Sequence, residues 1–206
     1  MPIPSQVLFL PGASGNTDFW KPVASLLRQA PAQMEHVGWP GFGPTPAEAS
    51  VASLSDLARR VVARIDRPTA LVAQSMGGVV AILAALAKPS LVTHLVLTAL
   101  SGGVDVRRHG AREWRPPRDQ IDPGNPAHLF AAYDEDLSPL LSTLAVPTLL
   151  LWGDDDPVSP VAIGRWLSEV LPCARLHVVQ GGTHVVAQAR ADEVAPLIER
   201  HLATDR

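Results

Sequence analysis

Short apolar runs alternate along the chain with segments whose apolar residues recur at helical spacing, as in a parallel sheet covered by helices on both faces. The first run is Val7-Leu8-Phe9-Leu10, closed by Pro11-Gly12. Phe19, Trp20, Val23, Leu26 and Leu27 then fall near i, i+4 and i+7 and predict a helix. Proline is tolerated only in a first turn, so Pro22 sets the start of that helix close to Asp18. Met34 to Trp39 reads as a second strand, interrupted by Glu35 and His36. Leu54, Leu57, Ala58, Val61, Val62 and Ile65 hold one apolar stripe, predicting a helix that ends by Pro68. Ala70-Leu71-Val72-Ala73 makes a buried strand, Gly77 to Ala87 a helix apolar nearly all round, and Leu91 to Leu100 another strand.

From 101 to 145 the rhythm breaks. Gly102-Gly103, Pro116-Pro117, Pro123-Gly124 and Asn125-Pro126 are loop chemistry, with room for one short helix from Pro126 to Asp136. This stretch reads as an insertion over one end of the sheet. Pro147 to Trp152 and Arg175 to Gln180 supply two more strands, with a helix around Val161 to Leu171 between them. The last helix runs from about Asp192 to Leu202, and Pro196 argues for a start no earlier than Ala191.

Composition narrows the class. A chain of 206 residues fits a single domain, which buries roughly 70% of its unfolded surface. With 47% apolar and 18% charged residues it is globular, and no apolar run is long enough to cross a bilayer. The formal charge of −3 comes without a long block of one sign, so neither nucleic acid nor a membrane surface is an expected partner. The basic stretch Arg107, Arg108, Arg112, Arg115 and Arg118 is broken by prolines and acidic residues and reads as a solvated flap. The lone Cys173 reads as structural. The first residues carry no basic segment followed by an apolar one, so a cytoplasmic location is expected. Oligomeric state is not legible.

The candidate chemistry lies at strand ends. Ser75, in Ala73-Gln74-Ser75-Met76-Gly77-Gly78, falls between a strand and a helix, where a sharp turn lifts a hydroxyl clear of the backbone and needs small neighbours such as Ala73 and Gly77. The helix start beside it places the Met76 N–H at a positive dipole end suited to an oxyanion. A serine N-cap is the alternative reading. A serine nucleophile needs a base, and the base needs an acid to hold its tautomer. Asp154, Asp155 and Asp156 follow one late strand, and any of them could instead cap the next helix. Of the seven histidines, His36, His94 and His177 lie within strands, His109 and His128 in the insertion, and His201 near the carboxyl end. His184 alone sits in a glycine-flexed loop after a late strand, in Gly181-Gly182-Thr183-His184. The loop Pro11-Gly12-Ala13-Ser14-Gly15 after the first strand would offer a second oxyanion donor, the Ala13 N–H.

These segments resemble the α/β-hydrolase superfamily, in particular its small bacterial esterase-like members, over nearly the whole chain. Ala73-x-Ser75-x-Gly77 is similar to its nucleophile elbow, Gly153-x-x-Asp156-x-x-x-Pro160 to its acid loop, Gly181-Gly182-Thr183-His184 to its histidine loop, and Pro40-Gly41-Phe42-Gly43 to its glycine loop after the second strand. The resemblance selects Asp156 among the three aspartates, and the order serine, acid, histidine is that of the superfamily. It implies an α/β fold with a minimal, mostly parallel sheet of about six strands, one domain over 1–206, and a short insertion at about 101–145 instead of a large lid. Departures are Pro11-Gly12 in place of the usual His-Gly, and the missing hairpin before the first strand.

The expected activity is hydrolysis of a small carboxylic ester through Ser75, His184 and Asp156, with Ala13 and Met76 as oxyanion donors and with neither metal nor cofactor. Acyl transfer, or amide or carbon–carbon bond hydrolysis, on the same residues is the alternative, followed by a non-catalytic binding module. Trp20, Phe42 and Trp114 are the candidates for an apolar substrate pocket, although Trp20, on a helix stripe, suits the core equally well.

Overall fold

The computed structural model describes residues 3–28, 33–122 and 125–204. Its strands are β1 (Gln6–Leu10), β2 (Gln33–His36), β3 (Thr69–Gln74), β4 (Val92–Thr98), β5 (Thr148–Gly153) and β6 (Ala174–Val179). They form one sheet in the order β2-β1-β3-β4-β5-β6, and every neighbouring pair is parallel. The expected sheet is thus found, wholly rather than mostly parallel among the described residues. The interior strands β1, β3, β4 and β5 are buried at every position, which is why their sequences are apolar runs without alternation. The edge strand β2 is exposed or half-buried throughout, so its charged Glu35 and His36 are tolerated.

Alternate side chains of each strand serve two separate cores. Leu8, Leu10, Leu71 and Leu97 face α2 (Leu54–Val62), α3 (Met76–Ala87) and α6 (Val161–Val170), together with Leu129, Phe130 and Leu137 of the insertion. Val7, Phe9, Val72 and Val96 face α1 (Lys21–Ala24), α7 (Val186–Ala189) and α8 (Ala191–Leu202). Ser53 caps α2 by accepting from the Asp56 N–H, and α2 turns Leu54, Leu57 and Val61 inward. The apolar α3 lies between α2 and the sheet, with nine of its residues buried.

Several boundaries differ from the sequence expectation. The expected helix from Asp18 is a single turn, Lys21–Ala24, although Phe19, Trp20 and Val23 are buried as its stripe requires. The second strand stops at His36. The Val37 N–H still donates to the Phe9 carbonyl, but Trp39 swings over the first loop and its indole N–H bonds the Pro11 and Gly12 carbonyls. Among the described residues the insertion holds two short α-helices, α4 (His128–Ala131) and α5 (Ser138–Leu141), and two 3-10 turns, Arg107–His109 and Arg118–Gln120, instead of one short helix. The Pro123-Gly124 turn lies outside the described residues. Helix α7 was not expected, because four residues are too few to show a period.

Candidate active site

Ser75 sits where β3 becomes α3, with φ 54° and ψ −125°. A side chain at such a positive φ costs on the order of 1–3 kcal/mol, and such strain gathers at functional positions. Ala99, at the end of the neighbouring β4, is the only other non-glycine residue with positive φ among the described residues. The elbow is locked from below: the Ser75 N–H donates to the Thr98 carbonyl at 2.9 Å, and the Gly78 N–H to the Ser75 carbonyl at 2.9 Å. Glycine is required at 77, since a Cβ there would stand 2.2 Å from the Pro11 carbonyl oxygen. Ser75 occupies the N-cap position, but its hydroxyl makes no capping bond. That hydroxyl turns instead to His184 and to Ser101.

The Ser75 Oγ lies 3.0 Å from His184 Nε2, and His184 Nδ1 lies 2.8 Å from Asp156 Oδ2. Asp156 is 4% exposed, and its Oδ1 accepts from the Val158 N–H at 2.8 Å and the Ser159 N–H at 3.0 Å. These two amides aim the carboxylate at the imidazole, so Nδ1 carries the proton and Nε2 is left as an acceptor for the Ser75 hydroxyl.

The three aspartates divide the work between them. Asp154 Oδ1 accepts from the Gly181 N–H at 2.6 Å, and the Asp155 N–H donates to the Gly182 carbonyl at 2.9 Å, so both tie the acid loop to the histidine loop while staying exposed. The loops approach so closely that a Cβ on Gly153 would lie 2.0 Å from the Gly182 oxygen.

The first loop meets the elbow at Gly12, where a Cβ would stand 3.1 Å from the Ser75 Cβ. Ala13 is the next residue of that loop after Gly12, and Met76 directly follows Ser75 at the start of α3. Phe42 is buried against Phe130, with ring centroids 5.9 Å apart, and packs on Gly15 of the same loop. Trp114 is half-buried, and its indole N–H donates to the Ser101 carbonyl at 3.3 Å. Trp20 does not line a pocket. It is 1% exposed, packs on Phe9 and Phe19 in the opposite core and donates to the Leu10 carbonyl at 3.0 Å, as its place on the apolar stripe demands.

The insertion is more than a solvated flap. The Arg112 N–H donates to the Pro157 carbonyl at 2.7 Å, docking the insertion on the acid loop, and the Leu137 N–H donates to the Gly103 carbonyl at 2.7 Å, tying the two ends of the insertion together. Arg107 pairs with Glu113. Arg115 lies over the Trp114 ring, 4.9 Å from its centroid, and burial lowers its pKa. A cavity of about 530 Å³ opens here, lined by Gly103, Val106, Arg115, Ile121 and Tyr133. The Arg115 Nε and the Tyr133 hydroxyl point to no hydrogen-bond partner among the described residues, and burial pushes the Tyr133 pKa up to about 12.

Sequence reasoning missed Ser101, whose Oγ lies 2.6 Å from that of Ser75. Its signal was positional: it follows β4 on the same sheet edge that carries Ser75, Asp156 and His184. It also missed Ser159, fully buried, whose hydroxyl donates to the Leu100 carbonyl at 2.6 Å and so joins the acid loop to the end of β4.

Residues 7–139 match the alpha/beta hydrolase family, and the chain belongs to that family. A poly(3-hydroxyalkanoate) depolymerase of Ectopseudomonas oleovorans is 41% identical over 66 residues, which is 32% of this chain and only 23% of the depolymerase. A pimeloyl-[acyl-carrier protein] methyl ester esterase of Edwardsiella ictaluri (strain 93-146) is 23% identical over 86% of this chain and 85% of its own. An esterase from Exiguobacterium antarcticum shares the fold, with a TM-score of 0.77 at 19% identity, covering 97% of this chain and 92% of that one. Among the described residues no helix is long and apolar enough to cross a membrane.

Proposed function

We propose that the protein is a serine hydrolase of small carboxylic esters, with Ser75 as nucleophile, His184 as general base and acid, and Asp156 as the carboxylate that orients the histidine. The observation that carries this reading is the continuous contact from the Ser75 hydroxyl through the imidazole to a buried carboxylate, at 3.0 and 2.8 Å. The Ser75 oxygen attacks the ester carbonyl carbon as its proton passes to His184 Nε2. The Ala13 and Met76 amides receive the oxyanion. Collapse expels the alcohol, which takes the proton from His184, and water activated by the same imidazole then releases the acid. A methyl ester esterase among its relatives supports an ester as substrate. Of the apolar pocket candidates, Trp114 is the half-buried one, bonded to the Ser101 carbonyl beside Ser75, whereas Phe42 is packed into the core against Phe130.

Fluorophosphonate labelling combined with aryl-ester turnover tests this. Wild-type protein labels at Ser75 and releases the aryl alcohol; Ser75→Ala does neither. Asp156→Asn lowers turnover by about 10⁴-fold if the carboxylate sets the tautomer. Full turnover in either variant would refute the assignment. Running short and long acyl chains beside an amide and an added alcohol acceptor separates ester hydrolysis from amidase or transferase chemistry.

A further inference from the structure

A second hydroxyl stands at the reaction centre. Ser101 is 1% exposed and Ser75 6%, so both residues are buried, and a buried hydroxyl without a partner is costly. Each finds the other at 2.6 Å, near the short end of the O–H···O range. Ser101 is held in place by the chain around it. It lies two residues beyond the positive-φ Ala99, its carbonyl accepts from the Trp114 indole, and Gly103 two residues on anchors Leu137 of the insertion.

The protons of this cluster can be ordered. Asp156 accepts from Nδ1–H, so a neutral His184 presents a bare Nε2 and the Ser75 proton must point at it. Ser75 then has only lone pairs to offer Ser101, and the Ser101 proton points back at Ser75 Oγ. The resulting chain, Ser101 to Ser75 to His184 to Asp156, runs in one direction. We infer that Ser101 is a positioning residue for nucleophilic attack: its O–H donates to Ser75 Oγ, fixes that oxygen's rotamer toward His184, and supports the negative charge that grows on it as its proton leaves. During attack one bond forms, from Ser75 Oγ to the carbonyl carbon. The Ser75 proton moves to Nε2, and Ser101 keeps its own. In the acyl-enzyme the Ser75 oxygen is an ester oxygen, a poorer acceptor, so the Ser101 contribution falls on acylation rather than on binding.

This inference rests on Ser75 being the nucleophile, and the experiment separates the two. Ser101→Ala and Ser101→Thr are compared with wild type by second-order fluorophosphonate labelling, by kcat and KM on an aryl ester, and by thermal unfolding. A hydrogen bond to a developing charge is worth about a 10- to 100-fold change in rate. Ser101→Ala is expected to label, and to turn over in kcat, slower by that factor, with KM and melting temperature nearly unchanged. Ser101→Thr, which keeps the hydroxyl, is expected to recover most of the loss. A Ser101→Ala protein that labels at the wild-type rate overturns the role. So does a folded Ser101→Thr as slow as Ser101→Ala, which would assign the loss to shape rather than to the donor. Failure of the wild type to label at Ser75 overturns the nucleophile itself, and the Ser101 role with it.

Discussion

Single residues at this site are constrained by backbone approach as much as by chemistry. Gly153 and Gly182 touch through their main chains, bringing the acid and histidine loops within reach of each other. A methyl group on Gly153 has no space to enter, since what it meets is a peptide oxygen rather than a movable side chain. Gly153→Ala is expected to cost about 1–3 kcal/mol in urea unfolding and to lower ester turnover at least about tenfold by parting His184 from Asp156. Ser75 presents the converse case, a side chain kept at a conformation that suits glycine. Of two inactive variants, Ser75→Gly is expected to be the more stable, exceeding Ser75→Ala by about 1 kcal/mol, because only glycine relieves the positive φ. Equal midpoints in chemical denaturation would show that the elbow stores no strain.

At the level of elements, the contact of α8 with β4 holds two histidines remote from the sheet edge that carries Ser75. The His201 Nε2–H donates to the Leu95 carbonyl at 2.9 Å, and its ring meets that of His94 edge-on with centroids 5.1 Å apart. Burial first, and then His94, hold the His201 pKa down at about 4, below the ordinary 6.5. The neutral ring is therefore favoured by folding. Below pH 6.5 the unfolded chain takes up a proton that the folded one refuses, so the contribution is complete above that pH and is lost as pH falls toward about 4. The loss is on the order of 3 kcal/mol, from 1.36 kcal/mol for each unit of pKa difference. His201→Gln should flatten the pH dependence of unfolding free energy between those limits, and an unchanged slope would place the acid sensitivity elsewhere.

For the whole molecule, the two cores share one sheet, with neighbouring side chains of every interior strand divided between them. Neither face can lose its helices without exposing the backs of strands that the other face needs. The insertion adds Leu129, Phe130 and Leu137 to the larger core and is hydrogen-bonded to the acid loop through the Arg112 N–H. Our reading is that the chain is one domain, and that it unfolds in a single calorimetric transition whose van't Hoff and calorimetric enthalpies agree. A separate low-temperature transition for the insertion would contradict this.

How much of this was legible follows from the range of the forces involved. Apolar runs and helical stripes are local consequences of burial, so β1, β3, β4, β5, α2, α3 and α6 could be read within a few residues of their ends. The positions of Ser75, Asp156 and His184 could be read as well, because parallel strands deliver the loops that follow them to one edge. The one-turn α7 leaves no period to read, and α1 is shorter than the apolar stripe that predicts it. The face taken by Trp20, the bracing by Asp154 and the meeting of Ser101 with Ser75 depend on strand order and on main-chain approach between segments distant in sequence. The linear chain by itself determined the alternation of elements and the residue types at each strand end. Only the folded sheet, by setting β3 beside β4 and β5 beside β6, decided which of those side chains touch.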